Sequence, residues 1–182
     1  ARWYGKDAAI DAEIRTRFEP LLLDVTRDGG DWEGEVARWQ RVPLGSLALV
    51  ILLDQFPRNM YRDTPKMYTH DPLALSVATL AVREYEAQSL SLIQRMFLYV
   101  PFMHVENLTL QQAMVAKFED LVRLAGERSP QNVGFFAYAL DYAQKHCHVI
   151  EGFGRFPHRN VILGRTSTAA ELEFLTQEGS SF

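Results

Sequence analysis

Apolar positions along this chain recur at three- and four-residue intervals, which predicts helices from one end to the other. Asp7 is placed to cap a first helix. Ile10, Ile14, Phe18, Leu21, Leu22 and Val25 follow in register, with Pro20 expected to kink or shorten it. Arg27, Asp28, Gly29 and Gly30 read as a turn. Trp32, Val36 and Trp39 predict a short helix that brings two indoles to a core. Pro43 fits the first position of a helix running to about Asp54. Its Leu44, Leu47, Ala48, Ile51, Leu52 and Gln55 leave little polar face, and a buried strand over residues 47–53 is the competing reading. Pro57 is expected to end this element, with Phe56, Pro57, Arg58 and Asn59 forming a turn. Thr64 should be extended because proline follows it.

Further on, Asp71 and Pro72 mark a helix start, and Leu73, Val77, Leu80 and Glu84 continue it. Ser89 is a candidate cap for a helix carrying Leu92, Ile93, Met96, Phe97 and Val100, closed by Pro101 and followed by a loop over residues 101–107. Thr109 and Gln112 resemble a capping box for a helix through about Ala125, with a polar turn over residues 126–130. Phe135, Phe136, Tyr138, Ala139, Tyr142, His146 and Ile150 mark a long helix ended by Gly152. Their spacing reads as core packing. Thr168 and Glu171 form a capping box for a last helix through about Thr176. About eight helices and no hairpin signal give an all-α class: one domain over residues 1–182, built from antiparallel helix pairs as a bundle or short stacked array.

Composition narrows the partners. The chain has 182 residues, 47% of them hydrophobic and 23% charged, as in ordinary soluble domains. A net charge of −4 offers no general reason to expect nucleic acid. The nearly apolar run over residues 42–53 is broken by Pro43, Gly45 and Ser46 and falls short of the roughly 20 residues that cross a bilayer, so no membrane association is expected. Cys147 is the single cysteine and cannot form an internal disulfide, which fits a reducing cytoplasm. No signal peptide is visible at the start. The sequence opens on Ala1 rather than Met, so residues are expected before it.

Candidate chemistry concentrates in residues 151–168, which hold three Arg, one His, one Asn and three Gly. An echo lies over residues 54–64. Both stretches contain Phe-Pro, then Arg-Asn, then a further Arg and a Thr. Guanidinium forks match phosphate and carboxylate oxygens in pairs, so Arg58, Arg155, Arg159 and Arg165 on two facing turns would make a cationic corner. The plainer reading is structural. The same groups would hydrogen-bond loop carbonyls and pair with Asp54, Asp63 or Glu151.

Three segments also resemble a known family: residues 52–65 (LLDQFPRNMYRDTP), residues 95–108 (RMFLYVPFMHVENL), and the run from His146 to Thr168 with its FGRFPHRN core. Together with the closing EGSSF they are similar to the hallmarks of an uncharacterised, largely bacterial family, domain of unknown function 924, over effectively the whole chain. The resemblance implies an all-α, tetratricopeptide-like arrangement and no assigned activity. Family members usually carry His-Ser-Glu-Asp where this chain has His104, Val105, Glu106 and Asn107, and the lost hydroxyl and carboxylate weaken any metal reading of that loop.

Metal signals are otherwise thin. There is no H-E-x-x-H and no C-x-x-C, and His146 and His148 point in different directions on one helix. His70 sits beside a helix cap. No G-x-S-x-G is present, Cys147 has no facing activator, and the glycines at 152 and 154 follow no strand. No metal or cofactor is therefore expected, and no reaction is named. The reading is a pocket for an anionic small molecule, lined by Arg58, Asn59, Arg155, His158, Arg159 and Asn160 from the two turns. Arg95, His104 and Glu106 come from the third segment, and His146 stands behind the loop as a core histidine. His104 and His158 are the acid–base candidates, because unperturbed histidine titrates near neutrality. The alternative is a helical module that binds a peptide or protein, with the Phe-Pro turns as structural locks.

Overall fold

The computed structural model describes residues 6–27, 32–85 and 90–181. The expected turn at residues 28–30 and the Ser89 cap lie outside the described residues, as does the Trp32 side chain. Every regular element among the described residues is helical, so the all-α class holds and the strand reading of residues 47–53 falls. The chain divides into two compact units, Ala1–Pro101 and Phe102–Phe182.

In the first unit α1 (Ala8–Val25) is capped by Asp7, whose carboxylate accepts from the N–H groups of Ala9 and Ile10. The helix runs through Pro20 to Val25 rather than stopping there. Leu22 and Val25 are buried beyond the proline, which offsets the hydrogen bond the proline cannot make. α2 (Trp32–Trp39) leads to α3 (Pro43–Val50), which starts on proline as expected. A side chain at Gly45 would put its Cβ 2.0 Å from the Trp39 carbonyl oxygen, so only glycine permits this approach of α3 to the end of α2.

The helix does not end at Pro57. A π-helical turn over Ile51–Gln55 follows α3 directly, and α4 (Phe56–Met60) follows that. The Phe56 N–H reaches the Ile51 carbonyl, one residue further back than an α-helix would take it. Pro57 has no N–H and its ring would crowd the carbonyl four residues earlier, and the wider π turn accommodates both. The expected turn at Phe56-Pro57-Arg58-Asn59 is therefore helix, and it buries Asp54, Gln55, Phe56, Asn59 and Met60. Thr64 is extended, as its proline neighbour requires, and α5 (Asp71–Tyr85) begins at Asp71. α1 packs on α4 and α3 on α5.

α6 (Leu92–Met103) continues two residues past Pro101, correcting the expected stop. In the second unit α7 (Leu108–Arg128) and α8 (Val133–Phe153) form a helical hairpin. The cap of α7 is Asn107, which accepts from the Leu110 N–H, not the expected Thr109 box. α8 ends at Gly154, in the left-handed region at φ 68°, two residues beyond the expected Gly152. The Thr168–Glu171 capping box is present in full at the start of α9 (Ala169–Phe174). Val149, Ile150 and Phe156 form a buried cluster with Leu108, Phe153 and Phe174 packed against it. On α8, Phe136 is buried, but Phe135, Tyr138 and Tyr142 are not, so the core reading fails for those three.

Candidate functional site

The two Phe-Pro-Arg-Asn stretches fold differently, because the first follows a π turn and the second follows a left-handed glycine. Each is engaged within its own unit.

In the first unit the Arg58 guanidinium forks onto Asp71 at 2.9 Å to each oxygen. It also donates to the Asp54 carbonyl at 2.8 Å and lies 3.3 Å from the fully buried Asp54 carboxylate. Asn59 and Arg62 share Asp11 at 2.9–3.0 Å, tying the end of this segment to α1. Arg95 donates to the Leu90 carbonyl. These bonds satisfy carboxylates and chain ends that would otherwise be buried without compensation.

The second unit gathers six of the remaining candidates. Met103 ends α6 and leaves carbonyls without helical partners. The buried Gln111 side chain donates to the Met103 and Val105 carbonyls at 2.6 and 2.9 Å, which holds the His104 loop. Glu106, from the same loop, accepts the Phe156 N–H at 2.8 Å and the Arg165 fork at 2.8 and 3.0 Å. Burial pushes the Glu106 carboxyl up, but Arg165 and the Phe156 N–H outweigh it and hold the group below its ordinary range. Arg165 also donates to the Phe156 carbonyl and to Asn160, whose amide donates to Ser167. Arg155 forks onto Glu171 at 2.6 and 2.8 Å and reaches the Thr166 carbonyl. Two loops distant in sequence are thus clamped by charge-assisted bonds, which are stronger than neutral ones.

What the clamps position is a group of imidazoles around Phe156. The His146 ring lies 5.6 Å from the Phe156 centroid, edge-on, and 6.0 Å from His104; His158 lies 5.5 Å from Phe156. The Arg159 guanidinium sits over the Phe156 ring at 4.4 Å. Nδ1 of His146 is 2.8 Å from the Tyr142 carbonyl oxygen. A carbonyl can only accept, so Nδ1 carries the proton and Nε2 keeps its lone pair. Burial, then the neighbouring His104, push His146 down to about 3. Burial, then Arg159, push His158 down to about 4. Both imidazoles are neutral at pH 7, so His158 does not titrate near neutrality as its unperturbed value would have it.

Sequence reasoning found His104, Glu106, His146, His158 and Arg159, which meet here, and treated Arg165 as peripheral although it joins Glu106, Phe156 and Asn160. It missed Phe156 as the ring the others surround, and it missed Gln111, for which no local signal exists. Among the described residues no group of three or more His, Cys, Asp or Glu side chains is arranged to hold a metal. Nor, among those residues, is any helix long and apolar enough to cross a membrane.

Glu171 provides a pH test of the clamp. The Arg155 fork and the Thr168 N–H hold its carboxyl at about 2, against 4.5 ordinarily. A depressed acid contributes stability that is present above its unfolded value and lost as pH falls through the folded one. At 1.36 kcal/mol per unit this is about 3 kcal/mol. Acid unfolding should show the parent losing this amount between pH 4.5 and 2, and Glu171→Gln should give a flatter profile over the same window.

Comparison with known proteins follows the same outline. The profile of a family described as "Bacterial protein of unknown function (DUF924)" matches residues 1–179. A solved structure of a protein of unknown function from Agrobacterium tumefaciens is similar at a TM-score of 0.77 with 37% identity, covering 95% of this chain and 87% of that one. No curated protein matches the chain.

Proposed function

We propose, for a chain that belongs to the DUF924 family of bacterial proteins, that the second unit binds an anionic small molecule at His104, His158 and Arg159, with His146 and Phe156 behind them. The observation that supports this is the double clamp. Gln111, Glu106 and Arg165 fix two loops so that their imidazoles stand beside a guanidinium, and prepositioned donors of this kind bind without first having to be ordered. The local field agrees in sign. Besides burial, Arg159 and Arg165 oppose a proton on His158, and cationic groups that resist another positive charge attract an anion. Arg58, Asn59, Arg95, Arg155 and Asn160 act as locks in this reading, since their bonds run to carboxylates, carbonyls or a hydroxyl of their own unit. His104 and His158 are the acid–base groups of the site. The single cysteine supports placing the protein in a reducing cytoplasm.

The test is a thermal-shift screen against phosphorylated and carboxylate compounds, with His158→Ala and Arg159→Lys as controls. A ligand at about 100 times its dissociation constant adds about 2.7 kcal/mol, which is roughly 5–10 °C for a chain of this length. A bound anion should raise the His158 pKa, so affinity is expected to increase as pH falls from 7 to 5. A parent that no compound shifts would overturn the reading and favour the helical interaction module, in which the same bonds serve only as locks.

A further inference from the structure

We propose that the ligand carries a planar ring several bonds from its charge, and that the ring stacks on Tyr138 and Tyr142. The inference rests on the anion reading above and names the other end of the same molecule.

Phe135, Tyr138, Tyr142 and His146 follow one another three and four residues apart, so they line one face of α8. Their exposures are 45, 59, 37 and 4%, so the row begins in solvent and ends in the histidine cluster. Ring centroids step by 5.0 Å from Tyr138 to Tyr142 and by 6.4 Å from Tyr142 to His146, and a further 6.0 Å reaches His104. A helix in this register normally buries such a stripe. Here its outer half keeps aromatic faces in water, next to the donors proposed to hold an anion. Lys145 stands 5.7 Å from the Tyr142 centroid and pairs with Asp141, which leaves a charged rim beside the rings.

Size selects the occupant. An aromatic side chain covers about 150–250 Å². Three partly exposed ones on a single helix offer far less than the roughly 800 Å² per partner of a stable protein interface. That area suits one flat ring. A ring on the tyrosines and a charge at His104, His158 and Arg159 are separated by about the span of a spacer, as in a nucleoside monophosphate or an arylalkyl acid.

Paired probes sharing a head group test this: ribose 5-phosphate against adenosine 5′-monophosphate, and acetate against 3-phenylpropionate, titrated by calorimetry into the whole chain. The ring-bearing member of at least one pair is expected to bind tenfold or more tightly than its ringless partner. Tyr138→Ala and Tyr142→Ala should each bring that ratio toward one, with melting temperatures near the parent's confirming that both variants fold. Equal affinity within both pairs, or a ratio that survives both substitutions, would overturn the ring subsite and leave the anion reading standing. Absence of binding by all four probes, after a screen in which no other anion shifts the protein, would remove both.

Discussion

Replacing Arg58 by Ala is expected to lower stability by about 3–5 kcal/mol, the usual cost of removing one partner from a buried ion pair. The guanidinium serves the carboxylates of Asp71 and of the fully buried Asp54, together with the Asp54 carbonyl, just after the π turn. For a chain of this length the loss corresponds to a melting point roughly 10 °C lower or more. Arg58→Lys should recover only part of it, because an ammonium cannot fork onto Asp71. Denaturant unfolding of the two variants checks the claim. A melting point for Arg58→Ala within about 2 °C of the parent, a change of no more than about 1 kcal/mol, would show that Arg58 is not a lock and would return it to the ligand set.

Phe156→Ala is the second large effect. The ring is fully buried at the centre of the second unit, and truncations of this kind cost about 3–5 kcal/mol through lost burial and the cavity left behind. It also supports the site, since Arg159 and the rings of His146 and His158 all lie against it. Water entering the space should relieve the burial that holds His146 at about 3, so its pKa is expected to rise toward the ordinary value of 6.5. Phe156→Leu should keep more of the stability and more of the shift. Histidine proton chemical shifts followed across pH give the readout, in a protein whose folded fraction is known from circular dichroism. A folded Phe156→Ala protein with His146 still near 3 would show that other groups desolvate the imidazole.

Local signals carried far along this chain. The Asp7 cap, proline at the start of α3, the extended Thr64 and the Thr168–Glu171 box each depend on a few neighbouring residues, and each appears where those residues put it. Pro57 and Pro101 were less legible. A proline weakens a helix locally, but a π turn before one and the end of a helix after the other let both helices continue. The aromatic stripe of α8 shows the opposite limit. Its spacing specifies one face of a helix and says nothing about whether another element covers that face.

The sequence by itself determined the helical class, most helix starts and the family, because capping, periodicity and motif matching are short-range properties of the chain. It also marked His104, Glu106, His146, His158 and Arg159 as unusual. Only the tertiary structure decided which charges are engaged and which rings meet. Arg58 finds Asp71, Arg155 finds Glu171 and Arg165 finds Glu106 across separations of 13, 16 and 59 residues. Such pairings follow from how helices bury apolar faces against each other, and nothing in the residues adjacent to each arginine encodes them.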